Sequence, residues 1–332
     1  MFRLATPFLR AALLGAGMLS AWGVRANDSA AELDAGGLVL VKDSAIILVE
    51  EDLRIGLDRI SVRYVFRNGS DAPRTVRVAF PLPPIDGDAL VSSAQSLPFE
   101  DRANFVGFTV TVEGTPITPQ LEERAFLGDR EVGDLLRKHG VPLNPMRRDQ
   151  VEAAIKALAP AAKAELVAAK LIDAEEGPGG GLWRSEAKFH WEQTFPPGRD
   201  LLIAHDYVPV KGTLLMDRSL LDDRPFRDRF CLDAAGARGI ARLIGAAKGE
   251  TATVYAAVVP YIVTTARNWA GTIGRFTLTI DKGRPTTLVS LCRSGVTKTG
   301  PTTFTWQARD YVPDADIRIL YVSGDPAALG IK

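Results

Sequence analysis

From Leu38 onward, apolar and polar residues alternate with period two far more often than they follow helical spacing. In the stretch SVRYVFRN, Val62, Tyr64 and Phe66 fall on one side and Arg63, Val65 and Arg67 on the other. In RTVRVAFPLP, Val76, Val78 and Phe80 alternate with Thr75, Arg77 and Ala79. Successive side chains of a strand point to opposite faces, so each run predicts a strand with one face in a core. The polar link from Asn68 to Pro73 carries turn chemistry, because Gly69 tolerates positive φ and Asn68 and Asp71 can bond nearby backbone. Pro81, Pro83 and Pro84 then withhold the N–H donors that a continuing strand needs, so the strand ends at Phe-Pro-Leu-Pro.

The same reading extends along the chain. LVLVKDSAIILVEEDLRI predicts two strands about a turn near Asp43 and Ser44. Val106, Phe108, Val110 and Val112 form one face, followed by a tight turn at Glu113-Gly114. Phe189, Trp191 and Phe195 alternate with His190, Glu192 and Thr194, and Pro196-Pro197-Gly198 leads into Leu201, Ile203, His205 and Tyr207 on a common face. Between these strands the period changes. Residues 128–181 read as a helical insertion. Its first helix is capped by Asp129 and closed by Gly140, and its second starts near Asp149, with Glu152 at capping-box spacing. A third, alanine-rich helix follows, and Gly177–Gly181 forms a hinge. So much alanine predicts helices that lie against the sandwich without a core of their own.

The expected architecture is therefore mainly β. An antiparallel β-sandwich domain over 27–211 carries the helical insertion. A second, smaller and mostly β unit over 212–325 holds one helix, with Ile240, Leu243 and Ile244 inward, and 326–332 is a tail. Residues 1–26 stand apart as a signal peptide: Arg3 and Arg10, an apolar run from Ala11 to Val24, and small residues at the cut before Asn27. That run is short for a membrane span, and no later stretch is long and apolar enough to be one. The chain is expected to be exported, to the periplasm or beyond.

Charge and cysteines refine this picture. The 332 residues balance 40 basic against 40 acidic side chains, and loss of Arg3, Arg10 and Arg25 with the signal leaves a mature net charge of −3. A basic field for nucleic acid or anionic membrane is thus missing. Cys231 and Cys292 are the two cysteines. In an oxidising compartment, without CxxC spacing, they predict one structural disulfide, the alternative being two buried thiols. The three histidines, His139, His190 and His205, pair with no cysteine at ligand spacing, so no metal site and no cofactor are expected.

Catalytic signals are few, with no Gly-x-Ser-x-Gly elbow and no phosphate-binding loop. His190 and Glu192 share a strand face, and His205 could oppose them from a paired strand as an acid/base cluster. In Arg267-Asn268-Trp269, a tryptophan between two strands either plugs the core or supports a binding patch. Trp183, Trp191 and Trp306 are expected in the core.

Several blocks bring a family to mind. NDSAAELDAGGLVLVKDSAIILVEEDLRI, RYVFRNGSDAPRTVRVAFPLP, LRKHGVPLNP, HWEQTFPPG with HDYVP, and YIVTTARNWAGTIGRFTLTIDKG with LVSLC resemble the exported bacterial family known as domain of unknown function 4424. The likeness spans essentially the whole mature chain and implies no activity. More distantly, the strand ending in Phe-Pro-Leu-Pro, the hairpin at Gly114 and the Phe195–Gly198 turn before Tyr207 look like the vault/inter-α-trypsin type of β-sandwich. That likeness implies shape alone. The metal-binding adhesion domain that often accompanies such sandwiches is not implied, because its Asp-x-Ser-x-Ser strand end is missing. The function expected is partner binding or scaffolding at the cell envelope, with an unidentified envelope or periplasmic protein. A hydrolase acting on an envelope polymer, or a carbohydrate or small-molecule binder using Trp269, are the alternatives.

Overall fold

The computed structural model describes residues 28–34, 37–87, 94–95, 97–173, 181–247 and 252–331. The expected signal peptide and residues 177–180 of the expected hinge lie outside them. The protein is mainly β, as the alternation predicts, and the strands among the described residues form three sheets.

The first sheet has seven strands. Its central path runs through Gln120–Leu127, Arg184–Phe195, Arg74–Pro81 and Ser29–Asp34, all antiparallel. The second has eight, centred on Thr303–Tyr311, Ile273–Asp281, Ile46–Ile55, Ile60–Asn68 and Asp200–Tyr207. One neighbouring pair in it is parallel, Ile273–Asp281 with Ile46–Ile55. The third has five strands and includes Gly212–Met216, Val254–Tyr261 and Ile317–Ser323.

The second sheet is the spine. Its inner face faces the first sheet at one end, where Phe66 lies edge-on to Phe195 with ring centroids 5.7 Å apart. Phe108, just before the Thr109–Val112 strand, stacks on Phe189 at 4.4 Å. At the other end it meets the third sheet, where the Tyr64 and Tyr261 hydroxyls are 3.1 Å apart. One apolar core therefore contains Phe80, Phe189, Phe276, Tyr261 and Tyr321 together. Each such ring sealed from water contributes about 1.5–3 kcal/mol.

The two arms of RYVFRNGSDAPRTVRVAFP belong to different sheets, Ile60–Asn68 to the second and Arg74–Pro81 to the first. The link between them is a corner, and Asn68, buried to 1%, builds it. Its Nδ2 donates to the carbonyls of Ala72 and Phe195, and its Oδ1 accepts from the Ser70 N–H. The Pro196-Pro197-Gly198 turn crosses between the same two sheets, and the Gly198 N–H donates to the Asn68 carbonyl at 3.0 Å. Nearby, burial alone would raise the Asp43 carboxyl, but N–H groups of Ala45 and Ile46 and the Arg74 guanidinium outweigh it and hold it low. At Glu113 and Gly114 both φ angles are positive, 50° and 77°, the conformation a two-residue hairpin turn requires.

The insertion contains the helices Gly133–Lys138, Arg148–Lys156 and Pro160–Ala168. Gly140 follows the first at φ 66°, as its predicted C′ role requires. Neither expected side-chain cap forms. Asp129 belongs to the turn before the short Arg130–Glu131 strand, and Asp149 lies inside the second helix. The helices also gather a core of their own, contrary to expectation. Trp183 is its centre: fully buried among Leu136, Val151, Leu166 and Leu171, it donates its indole N–H to the Leu143 carbonyl. A large ring from the residue just before the Arg184–Phe195 strand supplies the apolar area that alanines lack.

The third sheet is covered on its far face by helices. Ala234–Ala246 presses Ile240 and Ile244 onto Val254, Ala256, Leu320 and Val322. Two short helices, Arg218–Asp222 and Arg224–Arg229, precede it. The predicted disulfide is present: Cys231 and Cys292 are joined with Cα atoms 4.9 Å apart. It ties the link between the Arg224–Arg229 and Ala234–Ala246 helices to the chain just beyond the Leu288–Ser290 edge strand.

Candidate functional site

His205 is on the inner face of its strand, as the alternation predicts, and is 1% exposed. Its Nε2 sits 2.9 Å from both carboxylate oxygens of Asp28, which is itself fully buried. The imidazole is ringed by Tyr64, Phe80, Phe108 and Trp191, all within 5.1–5.4 Å between ring centroids. Burial raises the Asp28 carboxyl, and the adjacent His205 opposes that rise. Burial likewise holds the Tyr64 and Tyr261 phenols well above their usual value, with buried Glu51 adding to the effect. The result is a polar knot within the core, enclosed by aromatic rings.

His190 and Glu192 do not join it. Trp191 between them faces His205, and neighbours along a strand point the opposite way. They therefore lie on the outer face of the first sheet, where Glu192 pairs with Arg77 at 3.1 Å. Partial burial and the nearby Arg77 charge both lower the His190 pKa. The three residues thus share no pocket.

Trp269 is enclosed as well, at 3% exposure, and packs edge-on against Phe66 at 5.0 Å. Its indole N–H donates to the Asp28 carbonyl at 2.7 Å, and Asn268 Nδ2 donates to Ser29 Oγ at 2.8 Å. Arg267 points to solvent. The short 3-10 helix Thr264–Asn268, capped by Trp269, is itself held at its start by Asp316, whose Oδ1 accepts from the N–H groups of Val263 and Thr264. Two of the predicted residue groups, His205 and Asn268-Trp269, thus converge on the same short segment, Asp28-Ser29. Sequence reasoning missed Asp28, because 177 residues separate it from His205. Trp306 differs from expectation: it is half-buried, with the Arg293 guanidinium 4.7 Å from its ring centre.

On the surface, the outer face of the second sheet carries paired charges, Arg54 with Asp281, Arg67 with Asp200 and Arg59 with Asp206. The ends of its central strands open into a cleft of about 330 Å³ beside the C-terminal turn. Among the described residues, no group of three His, Cys, Asp or Glu could hold a metal ion, and no helix is long and apolar enough to cross a membrane.

Three sheets about a common core, with helices inserted between strands and a disulfide at the far edge, define a multi-sheet β-sandwich protein. The chain belongs to the family described as domain of unknown function (DUF4424), whose model matches residues 26–320. No curated protein matches it. Among solved structures it is similar to a candidate nutrient-binding protein from Legionella pneumophila, at 16% identity and a TM-score of 0.45, over 90% of this chain and 70% of that one. It is also similar to an M1 zinc metallopeptidase from Deinococcus radiodurans, at 9% identity and a TM-score of 0.27, over 85% of this chain and 43% of that one.

Proposed function

We propose that the protein is an exported, non-enzymatic binding or scaffolding component of the cell envelope, acting through its surface on a periplasmic or envelope partner. The observation that carries this reading is the enclosure of His205. A general acid or base must reach the proton it transfers, and this imidazole is sealed between two sheets and committed to Asp28. Its role is then to hold the fold together. Export is supported by the basic and apolar pattern of residues 1–26 and by the Cys231–Cys292 disulfide, which suits an oxidising compartment. Trp269 is placed in this reading as a core residue that secures the start of the mature chain.

The test is in vivo crosslinking of the tagged, full-length protein, followed by cell fractionation and capture. The expected result is a mature N-terminus at Asn27, recovery in the periplasmic or secreted fraction, and enrichment of a discrete envelope protein. Recovery in the cytoplasm with residues 1–26 intact, or capture no different from a mock-tagged control, overturns it.

A further inference from the structure

The cleft at the ends of the central strands of the second sheet is built by three loops. The Gly56–Arg59 turn forms one wall, the Asp281–Arg284 turn another, and the C-terminal turn Pro326–Gly330 the third. Arg54, Arg59 and Arg284 line it together with Asp58 and Asp281. Each arginine makes one ion-pair contact through a single nitrogen: Arg54 Nη2 with Asp281 at 2.6 Å, Arg59 Nε with Asp206 at 2.7 Å, and Arg284 Nη1 with Asp325 at 3.2 Å. A guanidinium has five N–H donors, so these contacts leave other donors on each lining arginine. Hydrogen bonds from Arg59 and Ser61 outweigh burial at Asp206, and those from Gly283, Thr302 and Arg54 do so at Asp281, so both carboxylates stay ionised. Lys211 backs the third wall, donating to the Leu329 carbonyl at 2.9 Å. Gly330 closes that turn at φ 65°, a left-handed conformation that favours glycine.

We propose that this cleft binds a neutral, polyhydroxylated ligand, an oligosaccharide of the kind that cell envelopes contain. The charge balance points away from an anion. Each lining arginine is already paired with a carboxylate, Arg54 with Asp281, Arg59 with Asp206 and Arg284 with Asp325, and Asp58 adds a further acid to the lining, so the guanidinium charge that an anion would meet is largely offset. A vicinal diol has the complementary need. One hydroxyl accepts from a guanidinium N–H while its neighbour donates to the paired carboxylate. The N···O separations of the pairs are similar to the spacing of adjacent hydroxyls on a sugar ring, so a diol can bridge a pair without breaking it. Hydrogen bonds to charged groups are the stronger kind, which suits recognition in an open, wet cleft. This inference does not depend on a protein partner, and either can fail while the other stands.

The test is saturation-transfer NMR and calorimetry on the mature protein with maltotetraose, cellotetraose and chitotetraose, and with citrate and inorganic phosphate as anionic arms. At least one neutral oligosaccharide should bind. Arg59→Ala and Arg284→Ala should each weaken it roughly tenfold, the worth of one hydrogen bond to a charged group. Arg67→Ala, which breaks a similar surface pair outside the cleft, should leave the affinity unchanged. Silence from all three sugars, binding of the anions alone, or sugar affinity untouched by both cleft substitutions overturns the proposal.

Discussion

At the scale of single residues, the pair that matters most is Asp28 and His205. Both are buried, and imidazole and carboxylate face each other at 2.9 Å, so removing either side chain takes a buried polar partner from the other. His205→Ala is therefore expected to destabilise the protein by about 3–5 kcal/mol, measured by urea unfolding. Asp28→Asn retains shape and a hydrogen bond, and should cost clearly less. A His205→Ala cost below about 1 kcal/mol would show that the pair contributes little. The inward direction of His205 was legible, since Leu201, Ile203 and Tyr207 share its face at period two. Its partner was not, because nothing local marks Asp28 as a residue to be buried. The separation of His190 and Glu192 from His205 was only half legible. Alternation set the first two on one face, and only the packing of the sheets shows that this face looks outward.

At the scale of elements, alternation located the strands well, because a half-buried strand must repeat with period two. Where each strand goes is another matter. Ile60–Asn68 and Arg74–Pro81 read equally well as a hairpin or as a crossover, and a polar link with Gly, Asn and Asp serves either. Asn68 distinguishes them physically: its side chain satisfies carbonyls from two separate chain segments at the corner. Asn68→Ala should leave those groups buried without their donor and cost about 1–3 kcal/mol. Arg67→Ala, an exposed neighbour, should stay within about 0.5 kcal/mol of the parent. Equal melting temperatures for the two variants would remove the corner's claim. The helical insertion was visible as a change of period, but its core was not, since Trp183 enters from outside the helices.

At the scale of the whole molecule, the eight-stranded sheet sets the arrangement. Ile273–Asp281 lies parallel to Ile46–Ile55, bringing chain segments more than two hundred residues apart into one sheet. The apolar core continues across it from the first sheet to the third. The disulfide acts at the periphery, closing a separation of 61 residues between the helical cover and the third sheet. By loop-closure entropy it is worth roughly 4 kcal/mol. Reduction should lower the melting temperature and raise amide exchange first in Arg218–Ala246, before the first and second sheets. Uniform exchange throughout, or an unchanged melting temperature, would count against that placement.

The sequence by itself determined the strand faces, the position of the helical insertion and the family to which the chain belongs, and it allowed the two cysteines a single pairing. Each of these is written in local periodicity, in contiguous blocks of sequence or in a count that admits one pairing. Only the tertiary structure decided which strands share a sheet, that Trp269 is enclosed, that His205 meets Asp28, and that three turns from distant parts of the chain form one cleft. Those outcomes depend on side chains far apart in sequence excluding water from one another, and no local pattern specifies which distant side chain will do so.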